Sequence, residues 1–271
     1  EDYRARPEYT EPEILRSSLA AVILRMKALG LADVERFPFL DSPQPRMIAD
    51  GYQLLAELGA VDEANHLTPL GRRLARFPID PRIARMILAA EREHCLAEIL
   101  VIAAVLEVDD PRDRPFEKAE AADRAHEKFK DEQSDFMSLL KIWDWLEEAI
   151  EQRQSQRKLA QELSDNFLSH RRMREWREVH KQLAALVGEM NMRVNEKAAT
   201  YEQLHRALIA GLLGNLGMKG EEAGEYLGAR GIKFFIFPGS VLRKKSPRWV
   251  LAAELVETSR LYAGCAARIV P

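Results

Sequence analysis

The residues with the clearest chemical potential in this chain are cations near its C-terminal end. A basic run, R-K-K-S-P-R, spans residues 243–248 and separates two segments rich in β-forming residues. Residues 200–271 contain ten Lys or Arg and six Asp or Glu, a net charge of +4, whereas the rest of the chain contains thirty and thirty-seven, a net charge of −7. This asymmetry indicates an anionic partner for the C-terminal part.

The residue patterns of common catalytic sites are missing. There is no G-x-x-x-x-G-K-[ST] phosphate loop and no G-x-S-x-G elbow, and the six histidines lack metal-ligand spacing. Glu107, Asp109 and Asp110 could form a general acid and base pair, but a solvated loop end is the favoured interpretation. Cys95 and Cys265 are far apart, so we expect packed, reduced thiols. The chain by itself is therefore predicted to have no enzyme activity, cofactor or metal.

The composition is that of a soluble, helix-rich protein, with 46% hydrophobic and 31% charged residues. Its length of 271 residues allows two or three domains. The longest apolar run, residues 99–106, is far shorter than the ~20 residues of a membrane span. The chain opens with charged residues and has neither an initiating Met nor a signal peptide, so we expect a piece of a longer, cytoplasmic protein.

Two helix starts follow one another closely. Thr68 precedes Pro69, and Asp80 precedes Pro81; each pair combines an N-capping side chain with a proline at the first helical position. The first start predicts a short helix at about 69–76.

The residues before this point complete a winged-helix outline. A first helix is predicted to open with a capping box at residues 10–13 and to end at Gly30. A second helix is predicted to begin with Ser42 and Pro43 and to end at Gly59, with two short strands between residues 60 and 67.

From residue 81 to about 188 the pattern is helical throughout. The segment 95–107 is apolar on nearly all sides and is predicted to occupy the centre of a bundle. An amphipathic helix begins near Phe136, with Ser134 as its cap. Residues 159–187 are predicted to form one helix about 43 Å long. Its charged face carries Arg171, Arg172, Arg174, Arg177 and Lys181.

A change of composition marks the last third of the chain. After one more helix at about 201–212, eight of the fourteen glycines fall between residues 211 and 239. This pattern predicts a small glycine-kinked barrel, OB-like in its best specific interpretation. The β-rich segments are residues 225–227, 232–237, 249–258 and 262–269. The predicted fold class is therefore mainly α with a small β-barrel.

Several ordered blocks resemble DEAH-box RNA helicases, in the region that follows their second RecA-like motor domain. The blocks cover nearly the whole chain in the family's order, and their amino-acid sequences are most similar to those of the bacterial HrpA type. They are E-P-E-I-L-R at 11–16, L-T-P-L-G-R-R-L-A-R-F-P-I-D-P at 67–81, R-P-F-E-K at 114–118, S-D-F-M-S-L-L at 134–140, N-F-L-S-H-R at 166–171, F-I-F-P-G-S-V-L at 235–242 and W-V-L-A-A-E-L-V-E-T-S-R-L-Y at 249–262.

The resemblance implies three domains: a winged helix with an N-terminal tail over 1–77, a ratchet-like helical bundle over 78–190 and an OB-fold over 191–271. It also implies that ATP and magnesium are bound by motor domains outside this chain, which contact it in cis. Two departures stand out. Many family members have Gly-Asp-His at the positions of Ser134, Asp135 and Phe136, and relatives often place Arg at the position of His180.

Such helicases move along one strand, and sequence-independent holding of that strand requires cations for phosphates and aromatic faces for bases. We therefore predict an accessory region of an ATP-dependent RNA helicase that guides single-stranded RNA during translocation and unwinding. Phe234, Phe235, Phe237 and Trp249 could stack on bases, but core positions are favoured for most of them because alternate strand residues face inward. The predicted binding residues are Arg171, Ser240, Arg243, Lys244, Lys245 and Arg248, facing a shared trough.

Two alternatives belong to other functional classes. The three domains could act mainly as a protein-docking and autoregulatory scaffold, with regulatory proteins as partners and little RNA affinity. A winged-helix DNA-binding regulator is disfavoured, because the predicted second helix offers only Arg46 and Gln53 to base edges.

Overall fold

The chain forms two compact units, divided between Arg85 and Met86 within the helix Pro81–Arg92. The predicted domain boundaries at 77/78 and 190/191 remain predictions. Among the described residues, no helix is both long and apolar enough to cross a membrane. The computed structural model describes residues 19–31, 33–152, 155–222 and 224–270.

The described residues of the first unit form the helices α1 (Ala20–Ala28), α2 (Pro45–Glu57) and α3 (Pro69–Leu74). A single antiparallel bridge between Val61 and Leu67 forms the wing ahead of α3. The apolar faces of α1 and α2 pack against each other. The predicted winged-helix arrangement is confirmed.

The N-terminus of α3 is organised by Thr68. Its side-chain oxygen accepts a hydrogen bond from the N–H of Gly71 at 2.9 Å, and its hydroxyl donates to the carbonyl of Gly59 at 2.7 Å. A Cβ at Gly71 would lie 2.0 Å from the carbonyl oxygen of Ala60, so only glycine lets α3 approach the wing this closely.

The start of α2 differs from the prediction. The helix begins at Pro45 with Gln44 as an extended N-cap, so Ser42 and Pro43 precede it. A residue before proline is pushed out of the helical region, and Gln44 therefore cannot join the helix. The capping box predicted at residues 10–13 lies outside the described residues.

The second unit opens with a helical body. Its central helix, Leu96–Leu106, is buried at nearly every position, as its apolar sequence predicts. Ser134 caps its helix as predicted, since its side-chain oxygen accepts from the N–H of Met137 at 3.4 Å. The described helices from residue 81 onward are α4 (Pro81–Arg92), which spans the division, α5 (Leu96–Leu106), α6 (Ala119–His126), α7 (Asp135–Glu151), α8 (Gln156–Asp165), α9 (His170–Glu189) and α10 (Tyr201–Leu212).

The prediction of a single long helix over residues 159–187 is wrong. This segment is divided into α8 and α9, and Phe167 between them has a positive φ of 52°. Ser169 then starts a new helix, because its side-chain oxygen accepts from the N–H of Arg172 at 3.5 Å. Leu168 is buried at this break and bridges to Arg112, so the corner is fixed by packing.

The last part of the chain forms a closed five-stranded barrel behind α10, in the order β1-β2-β3-β5-β4. A capping box of Thr200 and Gln203 begins α10. Strands β3 and β5 run parallel and the other pairs run antiparallel. The strands are β1 (Leu216–Lys219), β2 (Glu225–Gly228), β3 (Lys233–Ile236), β4 (Trp249–Glu257) and β5 (Leu261–Ile269). The predicted mainly α fold with a small OB-like barrel is confirmed.

Strand β1 was not predicted. It is short and contains Gly217, a residue that weakens any strand pattern. A Cβ at Gly217 would lie 2.3 Å from the ring of Phe234, which fills the barrel core with Tyr226. The glycine is therefore needed for the tertiary packing of an aromatic ring, a reason that local sequence does not reveal.

Candidate nucleic-acid interface

Two of the predicted binding residues line an open groove of about 590 Å³ at one end of the barrel. Lys245 and Arg248 enter it from the loop before β4, which we call the basic loop (residues 240–248). Trp249 at the start of β4 pairs with Ile269 at the end of β5, and Arg268, which pairs with Val250, also lines the groove. We call this surface the barrel groove; its lining residues are Glu132, Gln133, Leu242, Lys245, Pro247, Arg248, Trp249, Arg268, Ile269 and Val270.

The charge of the barrel groove is mainly positive. Lys245 forms an ion pair with Glu132 at 2.7 Å, and its hydrogen bond lowers the pKa of that carboxyl. Within the described part of the chain, the exposed side chains of Arg248 and Arg268 have no carboxylate at ion-pair distance. Three cations and one half-exposed indole thus face one carboxylate, a combination suited to phosphates and bases.

Hydrogen bonds that involve Gln133 and Tyr201, which we call the wall residues, attach the end of β5 at the barrel groove to the helical body. The N–H of Arg268 donates to the carbonyl of Gln133 at 2.8 Å. The hydroxyl of Tyr201 on α10 lies 2.7 Å from the carbonyl oxygen of Arg268 and 3.1 Å from that of Gln133. Burial raises the pKa of Tyr201, so its hydroxyl remains a donor. The end of β5 is therefore fixed to two helical elements.

A buried histidine supports the wall residues from behind. The ring of His205 stacks on Tyr201 with 3.8 Å between centroids. Its Nδ1 lies 2.7 Å from the carbonyl oxygen of Tyr201 and its Nε2 lies 2.9 Å from Oγ of Ser134. Because a carbonyl only accepts, Nδ1 carries the hydrogen and the Ser134 hydroxyl donates to Nε2. Burial lowers the pKa of His205 to about 4, so the ring is neutral at pH 7.

The side chain of Ser240 forms two hydrogen bonds within the protein. Its hydroxyl donates to Oδ2 of the buried Asp135 at 2.5 Å and accepts from the N–H of Leu242 at 3.2 Å. The hydroxyl hydrogen is therefore committed within the protein, and a nucleic-acid contact through it stays a prediction.

Arg243 and Lys244 lie in the same basic loop but do not line the barrel groove. Both side chains are exposed, and neither has an ion pair to a described residue. Their role in binding phosphates also stays a prediction.

Arg171 lies in different surroundings. Its guanidinium pairs with Glu175 at 2.8 Å and approaches Asp109 at 3.9 Å. A neighbouring groove of about 430 Å³ carries four carboxylates and one arginine. None of its lining residues lines the barrel groove; they are Glu107, Val108, Asp109, Arg174, Glu175, Glu178 and Val179. The structure therefore brings Lys245 and Arg248 together but does not bring Arg171 to them.

Sequence reasoning missed Arg268 and the wall residues Gln133 and Tyr201. The β-rich segments 249–258 and 262–269 were both identified, and an antiparallel pairing of their far ends would have placed Arg268 near the basic run. Phe136 is completely buried, so this chain has no polar contact at that position.

The two cysteines are structural residues rather than reactive thiols. Burial raises the pKa of Cys95 to about 12 and that of Cys265 well above its ordinary value, so neither is a thiolate at neutral pH. No group of three or more His, Cys, Asp or Glu among the described residues could hold a metal ion.

Comparisons with known proteins agree with this architecture. Residues 52–79 match the helicase-associated (HA2) winged-helix domain, residues 80–139 match the ratchet-like HA2 domain, and residues 204–271 match an oligonucleotide/oligosaccharide-binding (OB) fold.

Two curated relatives align with the entire chain. They are the ATP-dependent RNA helicase HrpA homolog of Haemophilus influenzae and the ATP-dependent RNA helicase HrpA of Escherichia coli, each 47% identical over 278 aligned residues. The chain spans 21% of the length of each relative. With its winged-helix, ratchet-like and OB-fold domains, the chain belongs to the helicase-associated region of the HrpA family.

Proposed function

We propose that this chain is the RNA-holding accessory region of an ATP-dependent RNA helicase. Single-stranded RNA occupies the barrel groove during translocation and unwinding, while ATP and magnesium are bound by motor domains outside this chain. In this proposal the motor domains supply the movement, and the chain keeps the strand from leaving its path.

One observation carries the proposal: Lys245, Arg248 and Arg268 surround Trp249 in one open groove. Cations neutralise phosphates without reading sequence, and an indole face can stack on any base. A translocating enzyme requires this sequence tolerance, because it must hold each nucleotide that passes. The names of the two relatives support RNA as the nucleic acid.

The test is to replace Lys245 and Arg248 by Ala in the whole chain. Binding of a fluorescent oligouridylate is measured by anisotropy over a series of salt concentrations. Each phosphate contact to a single strand contributes about −0.7 to the slope of log K against log salt, so losing two should make the slope shallower by about 1.4. Affinity at low salt should fall in parallel.

A matched control removes one arginine and one lysine elsewhere in the same unit. Arg124 and Lys158 are exposed and each makes only a 3.8 Å ion pair with a glutamate one turn away on its own helix. Arg124→Ala with Lys158→Ala changes the net charge equally and should leave affinity and slope nearly unchanged. Equal losses in both double variants would mean that net charge, rather than the barrel groove, holds RNA. Negligible RNA binding by the unmodified chain would favour the protein-docking scaffold instead.

A further inference from the structure

Two sequence blocks that lie about a hundred residues apart meet in the second unit. Asp135 belongs to the block S-D-F-M-S-L-L and is the first residue of α7, whereas Ser240 ends the motif F-P-G-S ahead of the basic loop. Asp135 is only 2% exposed. We infer that Asp135 is a positioning residue that sets the basic loop and the end of β5 for RNA, an inference that rests on the proposed function.

The carboxylate of Asp135 accepts three hydrogen bonds from the barrel. Its Oδ2 accepts from the Ser240 hydroxyl at 2.5 Å and from the N–H of Ala266 at 2.8 Å. Its Oδ1 accepts from the N–H of Val241 at 3.0 Å. One side chain of the helical body therefore joins the first residues of the basic loop to the middle of β5.

Both connected segments lead directly to groove cations. From Ser240 the loop turns at the buried Leu242, whose carbonyl accepts from the N–H of Lys245 at 3.0 Å. From Ala266 the strand continues for two residues to Arg268. If Asp135 no longer held these two segments, the basic loop with Lys245 and the end of β5 with Arg268 could shift relative to each other.

A carboxylate fits this position better than an amide does. Three donors converge on two oxygens, and the N-terminus of α7 adds a further favourable field for an anion. Although partial burial lowers it, the pKa of the Arg112 guanidinium is raised, mainly by Asp110 and to a smaller extent by the charge of Asp135. An asparagine would turn its own N–H₂ group toward the N–H of either Val241 or Ala266, leaving one barrel donor without an acceptor.

The experiment is to compare Asp135→Asn with Asp144→Asn in the full chain. Asp144 lies on the same helix, is exposed, and has no hydrogen bond or ion pair to a described residue. Asp135→Asn should weaken oligouridylate binding by about threefold or more. This loss corresponds to a fraction of the free energy of one charge-assisted hydrogen bond. It should also make the slope of log K against log salt shallower by about 0.7, the value expected for the loss of one phosphate contact. Asp144→Asn should change neither quantity.

A double-mutant cycle separates positioning from general stabilisation. When Lys245, Arg248 and Arg268 are already Ala, adding Asp135→Asn should have little further effect on RNA affinity, because the groups that it positions are gone. Amide hydrogen exchange at Val241 and Ala266 should accelerate in Asp135→Asn independently of RNA. If that variant does not fold, Ser240→Ala leaves the two amide bonds in place and should weaken RNA binding in the same direction by less.

The outcomes distinguish the two proposals. Groove-dependent RNA binding with an unchanged affinity and slope in Asp135→Asn would overturn this inference alone and leave Asp135 as a stabilising residue. An unmodified chain whose RNA affinity does not depend on Lys245 and Arg248 would overturn the proposed function, and this inference with it.

Discussion

The barrel groove and the charged face of α9 each present several cations, but the surroundings of these cations differ. In the barrel groove Lys245, Arg248 and Arg268 share the single carboxylate of Glu132. On α9 three of the four arginines each have a carboxylate at ion-pair distance, whereas Arg174 has none among the described residues. The pairs are Arg171 with Glu175, Arg172 with Asp113 and Arg177 with Glu147.

This difference teaches that counting cations along a sequence does not locate a phosphate-binding surface. A phosphate that approaches α9 must compete with carboxylates that are already in place and must accept their repulsion. Each exposed pair contributes only about 0.2–1 kcal/mol, so the discrimination arises from several pairs acting together. In the barrel groove Arg248 and Arg268 can bind a phosphate without that competition.

The largest expected effect tests whether α9 is mainly a packing element. Trp176 is completely buried, and its indole N–H donates to the carbonyl of Val101 in α5 at 2.8 Å. Replacing it by Ala should lower the free energy of unfolding by about 3–5 kcal/mol, measured by urea denaturation. The neighbouring exposed Arg174→Ala should change it by less than about 0.5 kcal/mol. Similar losses of unfolding free energy in Trp176→Ala and Arg174→Ala would contradict the interpretation that α9 is mainly a packing element.

A second prediction concerns the buried histidine behind the barrel groove. The pKa of His205 is about 4 in the folded chain and about 6.5 when unfolded, so between these values the unfolded state binds more protons. Stability should therefore fall as the pH decreases from about 6.5 toward 4, with a contribution of His205 of about 2–3 kcal/mol. The measurement is the free energy of unfolding at pH 7 and pH 4.5 for the unmodified chain and for His205→Gln.

The variant should lose that part of the pH dependence. His170→Gln, at an exposed position on α9, serves as the control and should keep it. An identical pH dependence in all three proteins would show that His205 is not held neutral by the fold.

A third prediction separates stacking from charge within the barrel groove. Trp249→Ala should weaken oligouridylate binding by about 1–3 kcal/mol, because a base loses its stacking partner. The salt slope should stay the same, since no phosphate contact is removed. Trp249→Phe should retain part of the affinity. A shallower slope in Trp249→Ala would mean that the indole supports the cations and does not contact bases.

Local signals in the sequence were sufficient for several of the helices. Thr68 with Pro69 and Ser134 with its helix follow rules that involve only neighbouring residues, and the apolar run 99–106 identified the buried central helix. The break at Phe167 was missed because it depends on Leu168 packing against a distant segment.

The same distinction applies to the site. Lys245 and Arg248 were predicted because the basic run is itself a local signal. Arg268 was missed because its place in the barrel groove results from strand register, and the hydrogen bond between Ser240 and Asp135 was missed because the two residues are more than a hundred positions apart. Residue type thus indicates what a side chain can bind, whereas tertiary contacts decide whether it is available.

The smallest expected effect tests the comparison most directly, by removing one carboxylate from each region. Glu132→Gln releases Lys245 in the barrel groove, and Glu175→Gln releases the nearer partner of Arg171 on α9. Both variants lose the same charge from an exposed or half-exposed ion pair. If RNA occupies only the barrel groove, Glu132→Gln should tighten oligouridylate binding by about two- to threefold, the scale of one such pair. Glu175→Gln should change the affinity only through the long-range effect of net charge, which disappears at physiological salt because the Debye length is then about 8 Å. Equal tightening by both variants at that salt concentration would place Arg171 on the RNA path and join the two regions into one surface.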